Sequence, residues 1–304
     1  MALDDRLAGA PISWGICEVP GWGEQLAPAR VLREMAGLGL GATELGPIGW
    51  LPTDRSALTA LVRRHGLRLL GGFVPLVLHE PSRRPAALAA AARTAAVLAA
   101  ADAEVFVTAA VVDDGWSRRR PLGDEQWSHL FQMLDEIDDL TAEHGLRQVV
   151  HPHVDTVIET EDDVRRVHDG TAVGWCLDTG HLAIGGTDPL AFAEEAGDRV
   201  AHVHLKDVDQ AVADRLNAGD VDLMAAVHAG LFRPLGDGAL PVADVIETLE
   251  RGGYRGWYVL EQDVALSGSP AEGDGPVQDV ARSIDFVRSV FASQVGTGQS
   301  QEGE

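Results

Sequence analysis

The chain contains few cysteines and few basic side chains, and each shortage excludes a class of protein. Cys17 and Cys176 are the two cysteines among 304 residues; they cannot form a disulfide framework, so we expect a reducing, cytoplasmic location. The 24 Lys and Arg residues are outnumbered by 47 Asp and Glu residues, which gives a net charge of −23. This charge predicts no nucleic-acid partner and no anionic membrane partner, because both require a basic surface.

We expect no secretory leader and no membrane span, because the sequence shows neither pattern. Residues 1–6 show no basic segment followed by an apolar core, so no signal peptide is predicted. The most apolar stretch, residues 85–112, is interrupted by Arg93, Asp102 and Glu104, which predicts no membrane span. What remains is an ordinary globular composition, with 45% apolar and 23% charged residues.

Eight apolar runs recur along the chain, and several are continuous, as in parallel strands buried on both faces. The predicted strands are 11–16, 42–46, 67–76, 104–110, 147–153, 173–178, 201–205 and 257–261. Helical periodicity fills the segments between them, for example in the stripe Trp127, Leu130, Leu134 and Ile137. This alternation predicts an α/β fold, a single (β/α)8 TIM barrel over residues 1–293, with a disordered tail at 294–304.

Helix ends are marked by capping residues. Thr160 precedes three acidic residues and predicts a helix start, while Gly66 and Gly145 each predict a helix end.

A doubly wound sheet is the alternative fold, but the first predicted strand leads into Trp14-Gly-Ile-Cys and not into a G-x-G-x-x-G phosphate turn.

Polar residues gather where the predicted strands end, and in a (β/α)8 barrel the active site lies at those carboxyl ends. They are Glu44, His79, His151, His153, Glu159, Asp178, His181, His202, His204, Lys206 and Glu261. Imidazoles mixed with carboxylates suit Mn²⁺, Co²⁺, Fe²⁺ or Zn²⁺, whereas purely carboxylate sites favour Mg²⁺ or Ca²⁺. Because side chains alternate along a strand, His151 and His153 point the same way, as do His202 and His204. We predict the outermost of each pair, His153 and His204, as metal ligands.

Several segments resemble one known group of barrels. Residues 151–160, 177–182, 202–207 and 259–263, which include Asp-Thr-Gly-His and His-Val-His-Leu-Lys-Asp, resemble the xylose-isomerase-like superfamily. Within it they are most similar to myo-inosose-2-dehydratases and to related sugar isomerases and epimerases. The resemblance covers about residues 10–290, including Ala-Pro-Ile-Ser-Trp-Gly at 10–15.

The resemblance implies that Asp178, His204 and Glu261 bind a divalent metal. In the ketose 3-epimerases of this superfamily a glutamate at the end of strand five is the fourth ligand, and this sequence has His153 there, with Glu159 six residues on. Because those epimerases use two glutamates as paired acid and base, this difference favours dehydration over epimerisation.

The predicted reaction is therefore dehydration of a keto-cyclitol such as 2-keto-myo-inositol. The ion polarises the ketone and stabilises the enediolate formed when the α-proton leaves, and the β-hydroxyl then departs as water. We assign Lys206, with a lowered pKa, to the enolate or the leaving hydroxyl, and Glu261 or Glu159 to the base. His181 is assigned to the substrate or to orienting Asp178. The predicted substrate contacts are Glu44, His79 and Trp14, with Trp50 as a further lining residue.

Three alternatives stay open at this point. An isomerase or epimerase would use the same enediolate but conserve the mass of the substrate. A DNA-repair endonuclease of the same superfamily is disfavoured by the charge of −23, and a non-catalytic sugar-binding barrel is the third. We predict Mn²⁺ or Co²⁺ as the cofactor, with Zn²⁺, Fe²⁺ or Mg²⁺ open, a small keto-cyclitol or sugar as the partner, and a homo-oligomer of unfixed number.

Overall fold

The computed structural model describes residues 3–298, which form one sheet of parallel strands surrounded by helices. We number the barrel strands β1 to β8 along the chain. They are β1 (Leu7–Gly9), β2 (Ala42–Thr43), β3 (Arg68–Leu69 with Gly71–Leu76), β4 (Val105–Ala110), β5 (Arg147–Val150), β6 (Gly174–Asp178), β7 (Val200–Leu205) and β8 (Tyr258–Leu260).

The barrel closes through β3, whose two stretches are separated by Leu70 alone. The first stretch pairs with β2 and the second pairs with β4. The Leu70 N–H donates to the Thr43 carbonyl, and the Leu70 carbonyl accepts from the Val105 N–H, so the ladder continues through this residue. The predicted single (β/α)8 TIM barrel is therefore confirmed.

The first strand lies earlier than the sequence predicted. Residues 11–16 were expected as a strand, but Pro11–Trp14 is a 3-10 helix, and β1 is the short segment Leu7–Gly9. Proline explains the difference, because Pro11 has no N–H for a ladder and its fixed φ suits the first turn of a helix. The β1 residues pair with β8 on one side and β2 on the other.

Eleven α-helices are found within the described residues. They are α1 (Pro28–Gly37), α2 (Arg55–Arg64), α3 (Arg84–Ala100), α4 (Asp124–Glu143), α5 (Glu161–Gly170), α6 (Thr179–Ile184), α7 (Pro189–Ala196), α8 (Gln210–Asn217), α9 (Leu223–His228), α10 (Val242–Arg251) and α11 (Pro276–Gly298).

The apolar faces of these helices cover the outside of the barrel. On α4 the predicted stripe of Trp127, Leu130, Leu134 and Ile137 is buried in the main core, as expected for a helix lying on a sheet. The predicted caps are also present. The Thr160 hydroxyl accepts from the Asp163 N–H at the start of α5.

A second layer of chain covers part of the barrel mouth between β7 and β8. It contains α8, α9 and a two-stranded antiparallel ribbon of Asp207–Val208 and Phe232–Arg233. The Asp207 carboxylate organises this layer, because it accepts N–H groups of Val208, Gly236, Gly238 and Leu240. At Gly238 a Cβ atom would lie 2.2 Å from Asp207 Oδ1, so the close approach requires glycine.

The last helix, α11, runs to Gly298 and so passes the predicted boundary at residue 293. Residues 299–304 lie outside the described part, and the predicted boundary and disordered tail stay predictions. Among residues 3–298, no helix is both long enough and apolar enough to cross a membrane.

Candidate metal centre

The sheet register brings the ends of β6, β7 and β8 together. Asp178 is the direct partner of His204, and His204 is in turn the partner of Val259 on β8. The Glu261 N–H then donates to the Leu205 carbonyl, which extends the pairing by one residue. Three residues that are far apart in the sequence thus project inward at one level of the barrel.

The side-chain atoms of these three residues converge. His204 Nδ1 lies 2.6 Å from Glu261 Oε2 and 3.7 Å from Asp178 Oδ2. His151 completes the group, with its Nε2 atom 3.3 Å from Asp178 Oδ2 and 3.2 Å from His204 Nδ1. Asp178, His204 and Glu261 each offer one ligand atom, and these atoms lie within 4.8 Å of one another.

These four residues, Asp178, His204, Glu261 and His151, have the chemistry of a cation site and are called the metal group below. Asp178 Oδ2 is a buried carboxylate oxygen without a hydrogen-bond partner, and Glu261 Oε2 has the His204 imidazole as its close contact, so a positive charge between the two oxygens is favourable. Imidazole nitrogen mixed with carboxylate oxygen suits a first-row divalent ion. The residues present therefore fit a divalent metal.

Glu44 holds the outer side of this group. Its Oε1 atom lies 3.0 Å from His204 Nε2 and 2.7 Å from His202 Nε2. Burial alone would raise the pKa of Glu44, but the imidazoles of His204 and His202 lower it to about 2, so the group is a carboxylate. A carboxylate on the far nitrogen of a ligand imidazole fixes its ring orientation and tautomer. Glu44 also lines the cavity described below, as the predicted substrate contact requires.

Lys206, the only lysine in the chain, is fully buried behind this group. Its Nζ atom donates to Glu261 Oε1 at 2.8 Å, forms a very short contact with Asp263 Oδ1, and lies 3.9 Å from Asp178 Oδ2. Burial opposes its charge, but the carboxylates of Asp263, Glu261 and Asp178 raise the pKa of Lys206 above its usual value. The lowered pKa expected from the sequence is therefore wrong, because those carboxylates outweigh burial.

His153 lies in a second group, with His181 and Asp263, and not beside Asp178. The Val154 peptide bridges the two imidazoles: His153 Nδ1 donates to the Val154 carbonyl, and the Val154 N–H donates to His181 Nδ1. With Nδ1 as acceptor, His181 carries its proton on Nε2, which lies 3.8 Å from Asp263 Oδ2 and has no hydrogen-bond partner. Burial lowers the pKa of His153 to about 3.

A cavity of about 670 Å³, part of it open to solvent, lies directly above the metal group. Its lining combines polar and apolar side chains. The polar ones are Glu18, Glu44, His153, Glu261 and Asp263, and the apolar ones include Ile12, Ile16, Val19, Trp22, Phe73, Trp116 and Leu223.

Trp14, Trp50, His79 and Glu159 do not line this cavity. Trp14 is fully buried in the core, and its indole N–H donates to Glu34. His79 is fully buried beside Arg120 and Glu80. Glu159 accepts the Asp155 N–H at 2.9 Å.

The raised pKa of Glu159 nevertheless predicts that the free energy of unfolding depends on pH. Burial raises its pKa to about 7 from the usual 4.5, so the folded chain holds this proton more strongly than the unfolded chain. The contribution of this proton to the free energy of unfolding is fully present below pH 4.5 and is lost as the pH rises through about 7. Relative to Glu159→Gln, the wild type should lose about 1–2 kcal/mol of unfolding free energy between pH 5 and pH 8, allowing for partial exposure. Urea unfolding of both proteins measures this, and a constant difference would contradict it.

Three residues that were not assigned as ligand, base or substrate contact belong to the site or its cavity. His151, a strand-end residue that was not selected as a ligand, lies beside Asp178 and His204, Asp263 is bound by Lys206, and Glu18 lines the cavity. A buried lysine requires a carboxylate partner, but the local sequence does not show which acid supplies it.

A barrel with a mixed imidazole–carboxylate centre at its carboxyl-terminal mouth defines the class of this protein. The sequence model of the xylose isomerase-like TIM barrel family matches residues 32–290. The chain therefore belongs to the xylose isomerase-like TIM barrel family.

Curated relatives cover most of the chain. It is 30% identical over 276 residues to an inosose dehydratase of Geobacillus kaustophilus (strain HTA426), covering 86% of this chain and 89% of the relative. It is 33% identical over 267 residues to the rhizopine catabolism protein MocC of Rhizobium meliloti, covering 85% and 81%. Both relatives match nearly the whole barrel.

Solved structures share the fold at lower identity. A D-psicose 3-epimerase from Clostridium cellulolyticum H10 superposes with a TM-score of 0.67 at 18% identity, covering 94% of this chain and 99% of that chain. An L-ribulose 3-epimerase superposes with a TM-score of 0.71 at 13% identity, covering 97% of each chain. At these identities the likeness concerns the fold.

Proposed function

We propose that this protein is a metal-dependent dehydratase that acts on a keto-cyclitol such as 2-keto-myo-inositol. The observation that carries the proposal is the convergence of Asp178, His204 and Glu261, with the unpartnered Asp178 Oδ2 atom, beside a cavity that Glu261 lines. The inosose dehydratase relatives, which match over most of their length, support the reaction class.

The proposed ligands are Asp178, His204 and Glu261, with His151 as the fourth side chain in place of His153. His151 lies beside Asp178 and His204, whereas His153 lies with His181 and Asp263. Mn²⁺ or Co²⁺ suits this mixed donor set. When bound, such an ion supplies a Lewis acid that polarises the substrate carbonyl.

Asp263 is the proposed proton carrier. Its Oδ1 atom is held by Lys206, and the carboxylate lines the cavity, whereas Glu159 does not reach it. Glu261, the other candidate base, has one oxygen on Lys206 and the other beside His204. Asp263 therefore has the carboxylate that is best placed to meet a substrate α-proton.

The proposed reaction needs Asp263 as its single acid–base group. The α-C–H bond breaks and its proton moves to Asp263, which then gives the proton to the β-hydroxyl. The C–O bond breaks, one water leaves, and the new double bond is an enol that tautomerises to a dione. Lys206 positions Asp263 and Glu261 and, being fully buried, does not contact substrate.

A mass-resolved assay with 2-keto-myo-inositol tests this function. Protein loaded with Mn²⁺ or Co²⁺ is expected to form a product lighter by one water, and chelator-treated protein is the control. A new isomer of unchanged mass would instead indicate an epimerase. Binding without any turnover would favour a sugar-binding barrel.

A further inference from the structure

Cys176 is a buried free thiol on β6 that the proposed reaction does not use. It lies two residues before Asp178, so both side chains point into the barrel, with Cys176 one layer deeper. Its apolar neighbours there are Val105, Val107 and Val149. A cysteine that only packs needs no other neighbours, but this thiol also has polar ones.

The polar neighbours of this thiol are two imidazoles of the metal group. His151, Cys176 and His204 are all buried, and each offers one ligand atom within 4.8 Å of the other two. The His151 Nε2 and His204 Nδ1 atoms are 3.2 Å apart. Nitrogen and sulfur donors around a tetrahedral Zn²⁺ ion are separated by about 3.3–3.6 Å, since the bonds are about 2.0–2.3 Å long. Side-chain movements on the order of 1 Å would therefore bring the three donors onto one ion.

His151 has a donor nitrogen that the metal group does not use. It meets that group through Nε2, which lies beside Asp178 and His204. Its Nδ1 atom is buried and has no hydrogen-bond partner among the described residues. A buried polar atom without a partner indicates a missing water or ion. The ring is thus not tied to another protein group through Nδ1, and it can adjust toward an ion.

The two donor sets that share these imidazoles differ in chemical preference. Asp178 and Glu261 contribute carboxylate oxygens, which suit a hard ion such as Mn²⁺. The deeper set consists of two imidazole nitrogens and one sulfur, and a thiolate selects Zn²⁺ and similar soft ions. The same barrel mouth therefore offers a hard and a soft donor set, one layer apart.

We propose that His151, Cys176 and His204 form a site for one thiophilic divalent cation, Zn²⁺ or Cd²⁺, and that its occupancy excludes the ion of the metal group. Binding breaks the Cys176 S–H bond, forms a metal–sulfur bond and releases the proton to solvent. Zn²⁺ at this site inhibits the dehydratase and does not activate it.

The exclusion follows from the contacts of His204. Its Nε2 atom is held by the Glu44 carboxylate, so only Nδ1 is available to an ion. One nitrogen cannot ligate two ions, and the two donor sets therefore compete for it. This part of the inference rests on the proposed function, whose ion needs the same nitrogen, whereas the thiolate site itself does not.

Titration of the metal-free protein with Cd²⁺ under anaerobic conditions, followed by ultraviolet absorption, tests the site directly. A cadmium–thiolate bond gives a charge-transfer band, which is expected to saturate at one equivalent of Cd²⁺. Excess Mn²⁺ should weaken the apparent affinity for Cd²⁺ in proportion to its concentration. In the water-loss assay, one equivalent of Zn²⁺ should lower the turnover of Mn²⁺-loaded protein by at least about tenfold, because Mn²⁺ binds most weakly in its series.

Cysteine variants locate the band. Cys176→Ser and Cys176→Ala should lose it and should bind Cd²⁺ about 100-fold more weakly, because a ligand is removed. Cys17→Ser is the matched control, since Cys17 is the other cysteine and lies outside this donor set, and it should keep the band. Thermal melting of the metal-free variants checks that they are folded. Because Cys17→Ser leaves Cys176 as the single thiol, a band in this variant assigns the site even if the Cys176 variants do not fold.

The outcomes separate this inference from the proposed function. Absence of the band from the wild type, its loss in Cys17→Ser, or its survival in a folded Cys176 variant would overturn the thiolate site. Binding of Cd²⁺ and Mn²⁺ together without competition would overturn the exclusion. If keto-inositol is not dehydrated but the band depends on Cys176, the proposed reaction fails and the thiolate site stands.

Discussion

Asp178→Asn should weaken divalent-metal binding by more than 100-fold and reduce turnover by on the order of 1,000-fold. Loss of a residue that only orients a ligand typically costs 10–100-fold in metal affinity, so loss of a charged ligand oxygen should cost more. A bound ion supplies several kcal/mol of transition-state stabilisation, which sets the scale for turnover. Calorimetry with Mn²⁺ and the water-loss assay measure the two effects.

The design of this variant separates metal binding from folding. Asp178 Oδ1 also accepts the His181 N–H at the start of α6, and asparagine keeps that acceptor. Asp188→Asn is the matched control, because Asp188 caps α7 in the same way and is exposed. The control should keep the metal-induced rise in Tm, and Asp178→Asn should lose it. Unchanged affinity in Asp178→Asn would remove Asp178 from the ligand set.

The order of strands and helices was largely predictable because most barrel strands are apolar runs with helical periodicity between them. The confirmed caps at Thr160 and Gly66 marked where helices begin and end. The first strand was missed for a physical reason. Leu7–Gly9 is only three residues long, and the more apolar segment after it begins with Pro11, which cannot pair in a sheet.

The choice between His151 and His153 could not be made from strand alternation. Both residues fall on the same face, but β5 ends at Val150, so alternation applies to neither of them fully. The chain turns sharply after His153, with Asp155 at φ 63°, and His153 lies with His181 and Asp263. The backbone path after the end of β5 decides which imidazole lies beside Asp178, and that path is known only from the structure.

Pairing between loops was equally invisible in the sequence. Asp263 lies 57 residues from Lys206, and nothing in either local pattern connects them. The direction of the Lys206 pKa was wrong in the sequence analysis for the same reason. The sequence analysis did not include the three carboxylates that surround the ammonium.

The buried ammonium and the candidate metal have complementary tasks in this centre. Four carboxylates, those of Glu44, Asp178, Glu261 and Asp263, would repel one another in a desolvated barrel mouth without a cation. Lys206 supplies a permanent charge at one oxygen of Glu261, while His204 lies at the other oxygen and also near the unpartnered Asp178 Oδ2. The fold therefore depends on Lys206 even before any ion binds.

Lys206→Met should destabilise the metal-free protein by about 3–5 kcal/mol, because it leaves buried carboxylates without a counter-charge. Methionine keeps much of the aliphatic stem, which packs closely enough on Gly180 that a Cβ there would lie 2.7 Å from Lys206 Cβ. The loss should therefore report the missing charge rather than a cavity. Urea unfolding in the presence of a chelator measures it.

The double variant Lys206→Met with Asp263→Asn provides the control. Removing the carboxylate in closest contact with Lys206 should restore part of the lost stability, so the two substitutions should be non-additive by about 1–3 kcal/mol. Strict additivity, or a loss below about 1 kcal/mol in the single variant, would show that Lys206 does not balance this cluster. The expected non-additivity would link the only lysine of the chain directly to the acid that we assign to proton transfer.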